Sequence, residues 1–77
     1  MEAKFIILGI AVGKEPDGSY YPTNAWYDGK GPEEMYSRQD FDTDIRRAVQ
    51  YNTYEEAVAE IANLPEGIYQ IDKIFVK

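Results

Sequence analysis

The sequence predicts an α+β fold: a small antiparallel sheet of three or four strands with one main helix packed on one face. Three observations predict it. Phe5 to Val12 is an apolar run of strand length that ends at a turn. Thr53 and Glu56 have capping-box spacing and open a stretch of helical periodicity. Ile68 to Val76 is a β-branched and aromatic run, as in a strand.

In the first strand, Phe5, Ile7, Gly9 and Ala11 alternate with Ile6, Leu8, Ile10 and Val12, so both faces are apolar. A strand apolar on both sides is usually central and covered on both sides. Glu15-Pro-Asp-Gly18 then places Pro at the second and Gly at the fourth position of a type I turn. Ser19 to Tyr27 reads as the returning strand of a hairpin, and Pro22 marks it as an edge strand or a bulge. Asp28 to Pro32 holds two Gly and one Pro and is a loop.

Glu33 to Asp44 is open: Glu33 to Ser37 suits one helical turn or a short strand. Asp42, Thr43 or Asp44 is placed to cap a short extra helix through Ile45, Arg46, Ala48 and Val49. The main helix follows, with Tyr54, Ala57, Val58, Ile61, Ala62 and Leu64 at helical spacing. Leu64-Pro-Glu-Gly67 should stop it, with Gly67 at a positive φ. The last strand alternates Tyr69, Ile71, Lys73 and Phe75 against Gln70, Asp72 and Ile74, a mixed pattern that suits an edge. The simplest sheet puts the first strand between the other two, in order 2-1-3. One helix covers only one face; the Glu33–Val49 segment, a partner or a second copy must cover the other, and a homodimer is plausible.

Seventy-seven residues make one domain, residues 1–77. A core of this size rarely supplies more than ~3–5 kcal/mol net, and the absence of cysteine removes disulfides and thiolate metal sites as staples. Seven Tyr, three Phe and one Trp are therefore central to packing, and too many for all to be inside. The formal charge of −6, with no basic run longer than Arg46-Arg47, argues against nucleic acid and against an anionic membrane. No stretch reaches the ~20 apolar residues of a membrane span. Lys4 with the run after it superficially suggests a signal peptide, but the run is short, lacks a cleavage site and meets a turn at once. A cytoplasmic protein is expected.

Neither His nor Cys is present, so the usual bases and nucleophiles are missing, and a non-enzyme without cofactor is expected. Gly13-Lys14 lacks the upstream Gly and following Ser or Thr of a phosphate loop. Asp40, Asp42 and Asp44 have the first carboxylate spacings of a calcium loop, but Ile45 and Tyr51 stand where Gly and Glu belong. No metal or catalytic residue is assigned.

Tyr20, Tyr21, Trp26, Tyr27 and Tyr36 are the unusual feature, since outward-facing Tyr and Trp are enriched at interface hot spots. Asp28, Glu33, Glu34, Asp40, Asp42 and Asp44 would supply an acidic rim, which suits a protein partner with a basic surface. An alternative is a sponge for a signalling nucleotide, with rings on the base and Lys30, Arg38, Arg46 and Arg47 on phosphates. A structural or assembly subunit is a further alternative.

Lys4-Phe-Ile-Ile-Leu8, Tyr20-Tyr-Pro-Thr-Asn-Ala-Trp26, Tyr54-Glu-Glu-Ala57 and Leu64-Pro-Glu-Gly-Ile-Tyr-Gln-Ile71 together give the chain its likeness. It resembles, in size, charge and layout, the small acidic proteins by which bacterial viruses disable host defence. That resemblance implies a stoichiometric blocker of a CRISPR or restriction effector in the host cytoplasm. It carries over no functional residue.

Overall fold

A computed structural model describes residues 1–29 and 41–77. Strand β1, Glu2–Lys14, turns through Gly18 into β2, Tyr20–Tyr27. Gly18 N–H donates to the Glu15 carbonyl at 2.9 Å, and φ is 95° at Gly18, the left-handed value that Gly tolerates. Two residues, Phe41–Asp42, form β3; helix α1 spans Tyr54–Ile61; Gly67–Val76 is β4. These four strands form one antiparallel sheet in the order β3-β2-β1-β4.

The expected order 2-1-3 therefore gains a strand outside β2, and β2 is not an edge where it carries Trp26 and Tyr27. A strand of two residues has no alternation to read, which is why the sequence hides it. The longest dimension, 44 Å, is close to what β1's thirteen residues span at ~3.3 Å each.

The strict alternation expected along β1 breaks. Gly9 pairs with Tyr69 and Ala11 with Ile68, so Ile10 is an extra residue. On the β2 side the same stretch sits opposite Asn24, whose φ is 50°. The Thr23 hydroxyl closes the gap: it accepts from Val12 N–H at 3.0 Å and donates to the Tyr21 carbonyl at 3.0 Å. Beyond the bulge Val12 joins the face of Phe5, Ile7 and Gly9 instead of that of Ile6 and Leu8. A β-carbon on Gly9 would lie 2.7 Å from both Val12 and the Phe41 ring.

That face holds the core. Val12, Ala25 and Phe41 are buried, with Tyr27, Leu64 and Tyr69 packed around them. Phe41 meets Tyr27 at a centroid distance of 5.6 Å and Tyr69 at 6.4 Å. Helix α1 lies over this face: Ala57 is fully buried and Tyr54 contacts Phe5 edge-on at 6.2 Å. Thr53 caps it as expected, accepting from Glu56 N–H at 3.1 Å. The Glu56 carboxylate returns to Asn52 N–H, however, one residue earlier than a capping box requires. The helix also stops at Ile61, because Asn63 and Leu64 N–H groups bond three residues back.

Gly67 has no positive φ; a β-carbon there would lie 2.4 Å from the Ala11 carbonyl oxygen, so close backbone approach explains the glycine. Asp44 caps a single 3-10 turn, Ile45–Arg47, in place of the longer extra helix. Past that turn, Tyr51 exchanges two 2.8 Å backbone hydrogen bonds with Phe5, continuing the line of β2 along β1. Ile6 and Ile7 are both fully buried, so at their level both faces are covered within one chain.

Candidate functional site

On the face away from the helix, strand register builds a row across the sheet. Asp42 pairs with Trp26, Trp26 with Leu8, and Leu8 with Gln70. Adjacent rungs add Asp72 opposite Ile6, and Ile68 opposite Ala11. Trp26 and Leu8 are half-buried, and Ile68 is 49% exposed. An apolar strip thus runs between two carboxylates, Asp42 at one end and Asp72 near the other.

Those carboxylates are held. Asp42 accepts from Asp44 N–H at 2.7 Å and lies 3.7 Å from the Arg47 guanidinium, which fastens the 3-10 turn on Asp42's side of the sheet. Asp72 accepts from the Gln70 amide at 2.8 Å. Asp44 takes a bidentate grip from Arg46, through Nε at 3.0 Å and Nη2 at 2.8 Å. That hydrogen bonding, joined by the Arg46 backbone N–H, lowers the Asp44 carboxyl to about 2.

The predicted contact residues are therefore divided. Trp26 and Asp42 lie on the strip. Tyr27, next to Trp26, faces the core and packs on Phe41. Tyr20 and Tyr21 are half-buried at the hairpin end, with Tyr20 opposite Lys14. Asp28 follows the end of β2, and Asp44 is committed to the 3-10 turn. Glu33, Glu34, Tyr36 and Asp40 lie outside the described residues, as do Lys30 and Arg38. Arg46 and Arg47, assigned to phosphates in the nucleotide reading, form ion pairs with Asp44 and Asp42.

Leu8, Gln70 and Asp72 were not among the predicted contacts. Their only signal is the register that places them beside Trp26, which requires knowing how β1 and β4 align. Tyr51 lies in the crowded region under the helix, where burial, with Glu60 and Tyr27 adding, pushes its phenol well above the usual value.

Among the described residues, no three potential metal ligands come together, and no helix is long and apolar enough to cross a membrane. Fold and site define a class: among the described residues, a small four-stranded antiparallel sheet with one α-helix. No family model matches the sequence, and neither a curated protein nor a solved structure matches the chain.

Proposed function

We propose that this chain is a non-enzymatic binding protein, encoded by a bacterial virus, that blocks a host defence protein in the host cytoplasm. The observation that carries the binding surface is the row Asp42–Trp26–Leu8–Gln70 on the face away from α1, with Asp42 beside the ring at one end and Asp72, bonded to Gln70, near the other. Trp in a partly desolvated setting is the side chain most enriched at binding hot spots. The net charge of −6 favours a partner with a basic surface, and the absence of His and Cys fits a protein that acts by contact. The viral and host-defence part of the reading is supported by the resemblance in size, charge and layout alone.

The test is expression in bacteria carrying a CRISPR or restriction system, with phage plating as the readout. Plating should recover with the wild-type chain, and the purified effector should bind Trp26→Ala at least about 30-fold more weakly, as expected for a hot spot of ~2 kcal/mol. Unchanged plating against every such system removes the host-defence reading. Full activity of Trp26→Ala removes the surface.

A further inference from the structure

β4 is the outermost strand, and among the described residues nothing pairs with its far edge. It runs for ten residues without proline and without a bulge of its own, since the irregularity in its ladder lies at Ile10 of β1. Exposed N–H and C=O groups on such an edge recruit another strand, and proteins guard them with prolines, bulges or charges. Only charges are available here, on the neighbours Asp72 and Lys73. Whether two adjacent opposite charges repel or attract a second strand depends on register.

When a strand pairs antiparallel with its own copy, the two-fold axis runs along the sheet normal. Opposed residues then lie on the same face, and one residue faces itself. Two registers overlap almost the full strand, centred on Ile71 or on Asp72. Centring on Asp72 sets its carboxylate against its own copy, and directly opposed like charges destabilise. Centring on Ile71 sets an apolar side chain against itself. Gln70 then meets Asp72 of the second copy, Tyr69 meets Lys73, and the exposed Ile68 meets Ile74. Gln70 already donates to Asp72 within the chain at 2.8 Å, so the two copies' amides and carboxylates would interleave in one polar row. The Lys73 ammonium already lies 5.5 Å from the Phe75 ring centroid, a range at which a second ring is attractive.

We propose that the chain pairs with a second copy of itself through β4, antiparallel and centred on Ile71, joining two four-stranded sheets into one. The axis keeps both helices on one side and both Trp26 rows on the other. This inference is independent of the function proposed above and stands or falls separately.

Sedimentation of the purified chain at about 50 µM should give twice the 8.8 kDa of one chain. Because the sequence has no cysteine, single substitutions report register cleanly. Ile71→Cys should oxidise to a covalent dimer roughly tenfold faster than Asp72→Cys, since only directly opposed residues fall within disulfide reach. Gln70→Lys, at an exposed position, should tighten the dimer several-fold by meeting Asp72. A monomer, faster cross-linking through Asp72→Cys, or no gain from Gln70→Lys each overturns the proposal.

Discussion

Trp26 and Tyr27 are adjacent in β2, yet the sheet sends them to different environments. Tyr27 lies among Phe41 and the buried residues under the helix, while Trp26 lies on the opposite face between Leu8 and Asp42. β1 is apolar on both sides, so the contrast comes from its neighbours. β2, β3 and β4 give one side Ala25, Tyr27, Phe41, Tyr69 and Ile71, and the other Trp26 and Ile68 among Asp42, Gln70 and Asp72. A central strand sets where a core can form; its flanking strands decide which side becomes one.

Substitution at the two rings is the most direct way to break this contrast. Tyr27→Ala should cost about 3 kcal/mol of stability by emptying space beside Phe41, near the lower end for a packed aromatic. Trp26→Ala removes a larger side chain but should cost only about 1 kcal/mol, because Tyr27, and not Trp26, packs on the buried cluster of Val12, Ala25 and Phe41. Urea denaturation of both variants measures the difference. Equal losses would show that the two faces are equivalent for folding.

A smaller effect sharpens the packing of the helix side. Gly9→Ala places a β-carbon against Val12 and the Phe41 ring and should cost about 2 kcal/mol, as overpacking does. Phe41→Leu in the same chain should recover part of the loss if the ring is the obstacle, and the thermal midpoint reports it. No recovery would assign the strain to Val12.

The smallest effect concerns pH. Because the Tyr51 phenol is raised in the folded state, the unfolded chain loses that proton first as pH climbs past the ordinary tyrosine value of about 10. The unfolded state then binds fewer protons than the folded one, so stability should fall with rising pH in that window. Tyr51→Phe should flatten the alkaline limb of a melting curve. An unchanged limb would place the titration at another group.

The hairpin, the Thr53 cap, the helix and the last strand are legible because each depends on local chemistry: a Pro-Asp-Gly turn, a hydroxyl three residues from a carboxylate, a period of 3.6 or 2. What the sequence concealed depends on alignment between distant segments. Phe41 looks like one aromatic among acids until β2 is beside it. Gly67 looks like a helix stop, and only the Ala11 carbonyl shows why no β-carbon fits. The acidic rim was read by counting charges, yet Asp42 and Asp44 are engaged by Arg47 and Arg46, two to five residues away along the chain. That spacing was visible; that the turn folds the arginines back was not.

Ile10 has one more effect. By stepping the chain out of phase, it makes odd positions point toward the helix before it and an even one, Val12, do so after it. A library that randomised alternate positions from end to end would mix interior with exterior halfway along. Deleting that single residue, by contrast, would leave every other side chain of the strand on the side it already occupies.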